Sequence, residues 1–454
     1  MILRLINKFV SRDIFNDSRW RKIRQSLFGL GILKIINLCI SLLLVPLTLQ
    51  YLGPLKYGVW LTLSSIVGWT VFFDFGLSNG MRNKLGEALA ENNIELAKSI
   101  ISTTFYILLF VSSFLYGTFW FVFPFLDWVK ILNAPTQLSD INLLVISAYS
   151  FFILKFISGI IITILVTDQR PATAELINTI AASLSLLAIY LLTIFSEGSL
   201  LYVGLSMTAF AALIPLLASI WFFQKNYRNL RPSYKAFNLK EVNSLSSQGV
   251  QFFLIQVSGL VLFTTDNVII THLFGPEEVV PYNISFKIFS YIILAYGVVM
   301  APLWSVYTEA YYKNDSGWIE ATLKKMLVIW LVFVSITIFL FFYSDDVYSM
   351  WVGDTIEVPK LLSLFMGTYV LLHTFNMIFV TFIFATSKLR MQTYISVFGA
   401  FINLPLSYIF AISLGFGSAG VILATVICGS INLVFGPIQS HRLLKNKATG
   451  IWVR

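Results

Sequence analysis

The sequence predicts an all-α membrane protein with about twelve transmembrane helices in two six-helix lobes. Apolar residues make up 57% of the chain and charged residues only 12%, whereas a soluble domain has about 25% charged residues. Apolar stretches of about the 20 residues that span a bilayer follow one another along the chain. A short Gly-Pro pattern occurs in both halves. These three observations predict a duplicated helical bundle in a lipid bilayer.

The individual helices are predicted from apolar stretches bounded by short polar connections. They cover approximately residues 26–50, 57–77, 99–124, 139–166, 172–195, 199–223, 244–273, 281–305, 322–343, 359–384, 389–413 and 418–440. Little of the chain remains outside them, so no separate soluble domain is expected.

An internal repeat is indicated by three features that recur at one constant interval. They are Gly53-Pro54 and Gly275-Pro276, Glu87-Ala88 and Glu309-Ala310, and Asn92 and Asn314. Six helices in each half would start both halves on the same side, as in the parallel repeats of many secondary transporters. We therefore predict an N-terminal lobe at 1–227 and a C-terminal lobe at 228–454, and a protein that translocates a cargo.

The charges indicate the orientation of the helices. Lysine and arginine concentrate at both termini, at 82–98 and in the 225–241 linker, while the alternate loops carry acids such as Asp127 and Glu197. Because positive loops stay on the cytoplasmic side, both termini are predicted to be cytoplasmic. The net charge of +9 is spread over many segments, so it does not indicate a nucleic-acid partner.

Motifs for covalent chemistry are weak in this sequence. Cys39 and Cys428 lie in apolar helices, without the spacing of a metal site or a disulfide framework. No glycine-rich phosphate loop and no His-Glu-x-x-His motif is present. We therefore expect no cofactor, no metal and no enzymatic activity.

A resemblance to a known family is carried by residues 52 to 88. The two motifs are Leu52-Gly53-Pro54-Leu55-Lys56-Tyr57-Gly58-Val59-Trp60 and Asp74-Phe75-Gly76-Leu77-Ser78-Asn79-Gly80-Met81-Arg82-Asn83-Lys84-Leu85-Gly86-Glu87-Ala88. They resemble the oligosaccharide flippase family, the bacterial O-antigen-unit translocases of the multidrug, oligosaccharidyl-lipid and polysaccharide exporter superfamily. The resemblance implies a bacterial inner-membrane protein that moves undecaprenyl-pyrophosphate-linked oligosaccharides from the inner to the outer leaflet, for O-antigen, capsule or exopolysaccharide. It also implies contact with other polysaccharide assembly proteins.

Such a cargo needs a wet, positively charged path through about 30 Å of hydrocarbon. Lys34, Lys155 and Lys287 are the basic residues in the predicted helix interiors, where each costs about 2.5–3.5 kcal/mol on insertion scales. Asn37 and Ser41 share a helix face with Lys34, which predicts a polar stripe along the first helix. These five residues are the candidate cargo contacts. The alternative for each lysine is a side chain that snorkels to nearby headgroups.

Other polar residues suggest coupling or structure. Asp266 and Lys287 lie at similar depths on adjacent predicted helices, so they are candidates for an ion pair, either structural or coupled to H⁺ or Na⁺. His373 lies in the middle of the tenth predicted helix, where a proton relay or an ordinary buried hydrogen bond is possible. Glu175 follows Pro171 in the first turn of the fifth helix, where it suits the helix dipole, and it is not expected to contact cargo.

Three functional interpretations remain. The lipid-linked oligosaccharide flippase is favoured. An ion-coupled multidrug or small-molecule antiporter of the same superfamily would have the same fold, but its cavity should carry carboxylates for cations. A membrane polysaccharide polymerase would normally place its catalytic residues on a large external loop, and the outer loops here are short.

Overall fold

The computed structural model describes most of the chain. The described residues are 18–74, 77–135, 140–168, 170–239, 241, 254–255, 257–259, 265–300, 303–312, 314–386, 388–445 and 447–452. Secondary structure in these ranges is helical, with no strand. The predicted all-α fold class is confirmed. The predicted seventh helix, 244–273, lies largely outside the described residues.

The α-helices are numbered in chain order. In the first half they are α1 (Ser18–Gly68), α2 (Leu77–Ala90), α3 (Ile94–Val122), α4 (Trp128–Ile131), α5 (Ile141–Ser158), α6 (Ile160–Thr167), α7 (Pro171–Phe195) and α8 (Leu200–Gln224). In the second half they are α9 (Asp266–Phe274), α10 (Val279–Met300), α11 (Leu303–Tyr312), α12 (Ser316–Phe342), α13 (Ser344–Val352), α14 (Lys360–Ala385), α15 (Arg390–Tyr408) and α16 (Ser418–Leu444). A π-helical turn, Ile409–Ser413, follows α15.

Ten helical stretches in the described part are long and apolar enough to cross a membrane. The first, Gly29–Gly68, contains two of the predicted spans, because α1 is broken at Gly53. This residue has φ 73° and ψ 167°, a conformation that is essentially restricted to glycine. The Gly-Pro signal in the sequence therefore marks a real boundary between two helical segments.

The repeat predicted from the sequence is visible in the local backbone. Gly275 has φ 96° and ψ 163°, close to the values at Gly53. Asn92 and Asn314 both have positive φ, 56° and 58°, and each is followed by a residue that caps a helix. Asn93 accepts a hydrogen bond from the Leu96 amide, and Asp315 accepts one from the Trp318 amide. The two halves thus use the same turn at the same position.

The described residues pack as two compact units. The first comprises those within 1–51, 77–124 and 146–246, and the second those within 52–76, 125–145 and 247–454. The core of the first unit is formed by α2, α3, α6 and α7, with buried Met81, Ile100, Ile161 and Ile177. The core of the second includes Tyr296, Tyr307 and Phe382. The predicted division at residue 227 remains a prediction.

The segment after α8 packs against α3 within the first unit. The Ser233 amide donates to Ser102 Oγ at 3.1 Å, and the Asn238 amide donates to Thr103 Oγ1 at 3.0 Å. Tyr234 makes an edge-to-face ring contact with Tyr106. The basic linker is therefore attached to the first unit along the part that the structure describes.

Candidate functional site

A polar cluster joins α1 to α7 in the first unit. The Lys34 ammonium lies 2.9 Å from Glu175 Oε2. The Asn37 amide donates to Glu175 Oε1 at 2.7 Å and to Thr179 Oγ1 at 2.9 Å. Lys34 and Asn37 are one helical turn apart, as are Glu175 and Thr179, so each helix presents one polar face to the other. We call these four residues the α1–α7 cluster.

The two charges of the α1–α7 cluster differ in exposure. The Lys34 side chain is 62% exposed, whereas the Glu175 side chain is only 13% exposed. A mostly buried carboxylate needs a cation or hydrogen-bond donors, and here Lys34 and Asn37 supply both. The lysine is therefore the more accessible member of the pair. Ser41 lies half-buried one turn beyond Asn37 on the same helix.

Lys155 belongs to the same unit and has a different environment. It lies in the last turn of α5 and is exposed. Its ammonium stands 6.0 Å from the centre of the Phe152 ring. Among the described residues, no carboxylate forms an ion pair with it. Lys155 is therefore a cation without a protein counter-ion in the described part of the first unit.

Asp266 has a different partner from the one that the sequence suggested. The Tyr282 hydroxyl donates to Asp266 Oδ2, and both residues are buried. The other carboxylate oxygen, Oδ1, is buried without a hydrogen-bond partner. Lys287 is half-buried on α10, and it is not among the partners of the Asp266 carboxylate. It follows Tyr282 by five residues, or about 140° around the helix at 3.6 residues per turn, so the two side chains face different directions.

A second polar network begins at Asn267, which follows Asp266 in the chain, and lies within the second unit. The Asn283 amide donates to Asn267 Oδ1 at 2.8 Å, and the Asn267 amide donates to Ser65 Oγ at 2.8 Å. The hydroxyls of Thr62 and Thr271 lie 2.5 Å apart. We call the Thr62–Thr271 and Ser65–Asn267 contacts the threonine–asparagine latch. It connects the C-terminal part of α1 to α9.

The latch is accompanied by a close backbone approach. A Cβ atom placed on Gly58 would lie 1.7 Å from the carbonyl oxygen of Pro276, a separation that no side chain can occupy. Gly58 belongs to the motif that resembles the flippase family, and its conformation is helical. Its lack of a side chain therefore serves close packing of two segments.

His373 lines a cavity of about 200 Å³ in the second unit. Asn376 and Asn432 also line it, and the amide oxygen of each is buried without a hydrogen-bond partner. The His373 ring makes a tilted contact with Tyr369, with centroids 5.6 Å apart. The cavity can therefore accept hydrogen bonds from a water molecule or another donor.

Sequence reasoning missed the role of Glu175 in binding Lys34. The sequence predicts for Glu175 only a favourable place near the start of a helix, and it predicts no role for Thr179. The sequence does contain a signal for this role: Glu175 and Thr179 are one helical turn apart in a predicted helix that is otherwise mostly apolar. The sequence does not show that the first and fifth predicted helices pack against each other. Only the structure shows this contact.

Comparison with known proteins shows the family of this chain. The family model described as "Polysaccharide biosynthesis protein" matches residues 23–303. The chain belongs to this family. It is 22% identical over 428 residues to the "Putative O-antigen transporter" of Salmonella typhimurium, a match that covers 91% of this chain and 95% of that protein. It is 23% identical over 418 residues to the "Putative O-antigen export protein" of Yersinia pseudotuberculosis, covering 88% and 90%.

Solved structures identify the fold of this family member. An inward-facing multidrug resistance MATE family transporter of the MOP superfamily matches with a TM-score of 0.73 at 14% identity, covering 91% of this chain and 99% of that one. The chain therefore has the fold of a MATE transporter and is a multi-pass membrane protein.

Proposed function

We propose that this protein flips undecaprenyl-pyrophosphate-linked oligosaccharide units from the inner to the outer leaflet of the bacterial inner membrane. The family membership and the names of the two relatives support export of a polysaccharide unit. The observation that carries the substrate class is Lys155, an exposed cation with no carboxylate partner among the described residues. An ammonium within a candidate membrane span, without a carboxylate partner among the described residues, suits a pyrophosphate, because a charge at this depth needs a counter-ion.

In this proposal the α1–α7 cluster binds the cargo because the cargo pyrophosphate replaces the Glu175 carboxylate as the anion in contact with Lys34. Lys34 is held by Glu175 in the empty protein and is exposed enough to meet a pyrophosphate. The arriving anion competes with Glu175 for the ammonium, and Asn37 keeps the carboxylate hydrogen-bonded. Lys155 supplies a second positive charge, while Ser41 and Lys287 remain candidate contacts for the sugar. The isoprenoid tail stays in the bilayer throughout.

The same exchange offers a route for ion coupling. If Glu175 binds H⁺ or Na⁺, its hold on Lys34 weakens and the cation becomes available to cargo. Release of the ion restores the pair and displaces the cargo. Asp266 and His373 are further candidates for ion binding in the second unit. The two lobes would rock between inward-open and outward-open states, with both termini cytoplasmic, and no covalent chemistry takes place.

One observation favours a second candidate function, the ion-coupled export of a cationic small molecule. Glu175 is a mostly buried carboxylate, and buried carboxylates are what a cation exporter requires. The two functions differ in which charge of the cluster faces cargo. Loss of Lys34 would impair the flippase, whereas it would leave a cation exporter with a stronger anionic site.

The test is rescue of surface polysaccharide in a strain without its own flippase. We expect Lys155→Gln to abolish rescue and Lys155→Arg to retain part of it, because arginine keeps the charge. Lys130→Gln is the matched control, since the Lys130 side chain is 85% exposed on the short helix α4 and pairs with Asp127. Full rescue by Lys155→Gln at normal protein level would remove the proposed role of this cation. Drug resistance conferred by Lys34→Gln would support the cation exporter instead.

A further inference from the structure

A pocket of about 160 Å³ lies between α12, α14 and α16 in the second unit. It lies where α12 begins and α16 ends, the side that the charge distribution predicts to be cytoplasmic. Its apolar wall includes Leu323, Leu327 and Phe379. This volume corresponds to roughly five water molecules at about 30 Å³ each, so it can hold a phosphate group with some of its hydration shell.

The rim of this pocket carries more positive than negative charge. Lys324, His441 and Lys445 line it together with one acid, Glu320. Lys324 pairs with Glu320 at 3.0 Å, and their side chains are 73% and 46% exposed. Lys445 and His441 lie close enough to interact electrostatically with the same carboxylate. Since an exposed pair of this kind is weak, Lys324 can turn toward a stronger anion, and Lys445 provides a second positive charge.

A buried serine forms part of the wall of this pocket. Ser440 lines the pocket and is only 1% exposed, and its Oγ has no hydrogen-bond partner. Serine in a helix usually donates to the carbonyl one turn earlier, which Ser440 does not do. Buried polar groups are normally satisfied. The hydroxyl is thus an unused donor in the wall of a positively charged pocket.

Apolar surface extends from the charged rim along both helices. On α12, Val328, Leu331 and Val332 follow Lys324 at helical spacing and are more than half exposed. On α16, Val434 and Ile438 precede His441 on one face and are exposed. A ligand with a phosphate in the pocket could therefore lay its hydrocarbon chains along these two stripes.

We propose that this pocket binds the phosphate group of an anionic lipid of the inner leaflet. Lys324 and Lys445 contact the phosphate oxygens, Ser440 donates a hydrogen bond to one of them, and the chains follow the apolar stripes. Basic pockets between transmembrane helices on the cytoplasmic side bind anionic headgroups in this manner. The ligand is either a phospholipid or an isoprenoid pyrophosphate, because both combine a phosphate with long hydrocarbon chains.

The test measures binding to the purified full-length protein in phosphatidylcholine nanodiscs. Phosphatidylglycerol or undecaprenyl pyrophosphate is added, and the change in Tm is followed against ligand concentration. We expect the Lys324→Gln, Lys445→Gln double variant to weaken the apparent affinity roughly tenfold or more, given two lost charges near the headgroup. The matched control is Lys325→Gln with Lys447→Gln, which changes two neighbouring lysines that do not line the pocket.

Two further variants separate binding from a structural role. Ser440→Ala should weaken binding while leaving the lipid-free Tm nearly unchanged, because its hydroxyl makes no hydrogen bond in the protein. Glu320→Gln should strengthen binding, since it removes the competing anion. An equal ligand response in the pocket variant, the control and the wild type would overturn the proposal, as would no response in any of them.

The two ligands distinguish the source of the phosphate. A response to phosphatidylglycerol alone identifies a site for membrane phospholipid. A response to undecaprenyl pyrophosphate alone identifies an initial binding site for a cargo lipid. Either result supports the site when the pocket variant abolishes it. Because no transport is measured, failure of the flippase proposal would not affect this outcome.

Discussion

The Lys34 ammonium lies 2.9 Å from the Glu175 carboxylate, and the lysine is the more exposed of the two. The contact links the first helix to the helix that begins at Pro171. We therefore expect an arriving anion to contact the lysine before the carboxylate. This asymmetry makes the pair suitable for exchange with a cargo phosphate, and it leads to a prediction that separates function from stability.

Glu175→Gln should reduce surface-polysaccharide rescue strongly while changing stability little. The Lys34 side chain is mostly exposed, so loss of its ion pair should cost no more than about 1 kcal/mol. Transport should fall because Lys34 loses the carboxylate that the cargo pyrophosphate replaces and that displaces the cargo again. The measurements are rescue and Tm for each variant, with Glu197→Gln in the connection between α7 and α8 as the matched control. A loss of Tm large enough to account for the lost rescue would indicate a structural role.

Gly58→Ala should destabilise the protein or displace the segment around Pro276. The added Cβ would lie 1.7 Å from a backbone carbonyl oxygen, which cannot move as a side chain can. Overpacking of this kind typically costs about 1–3 kcal/mol. Gly68→Ala is the control, because nothing lies within 4 Å of a Cβ at that position. Thermal unfolding in detergent should show a lower midpoint for Gly58→Ala only, and equal midpoints would contradict the close approach.

Much of the fold could be predicted from sequence because its signals are local. The apolar stretches give the helices directly, and the Gly-Pro pair predicts the break at Gly53. The repeat could be predicted because the same turn residues, such as Asn92 and Asn314, are needed at both positions. Each of these signals lies within a few residues of the feature that it specifies.

The candidate site could be predicted only in part, because pairing between distant helices has no local signal. Lys34 and Asn37 were found as a polar stripe, but nothing in the sequence identified Glu175 as their partner. Similar depth on adjacent predicted helices makes Lys287 a candidate partner for Asp266. Depth along a helix does not fix the direction of a side chain around it, and Tyr282 occupies the face toward Asp266.

Asn92 and Asn314 should respond alike to substitution, since they occupy the same left-handed turn in the two halves. Replacement of either by alanine should cost roughly 1–2 kcal/mol, the penalty of this conformation for ordinary residues. Replacement by glycine should be neutral or slightly stabilising. Asn178→Ala, on the exposed face of α7, is the control and should not destabilise. Unfolding midpoints that differ between the Asn92 and Asn314 variants would contradict the equivalence.

The threonine–asparagine latch should open during transport, which a reversible crosslink can test. The hydroxyls of Thr62 and Thr271 lie 2.5 Å apart, so cysteines at these positions should come within disulfide reach. In a background with Cys39→Ser and Cys428→Ser, the Thr62→Cys, Thr271→Cys variant should form a disulfide under oxidising conditions. Because the latch lies on the side predicted to be external, the bond should hold that side closed.

Rescue of surface polysaccharide should then fall in the oxidised cells and return after reduction. The single Thr62→Cys variant controls for loss of the hydroxyl, and mass spectrometry of the linked peptides measures the extent of crosslinking. Thr62→Val with Thr271→Val should instead retain rescue, since it removes the hydrogen bond without locking the segments. Complete crosslinking with undiminished rescue would mean that the C-terminal part of α1 and α9 stay together throughout the cycle, and that the cargo leaves by another path.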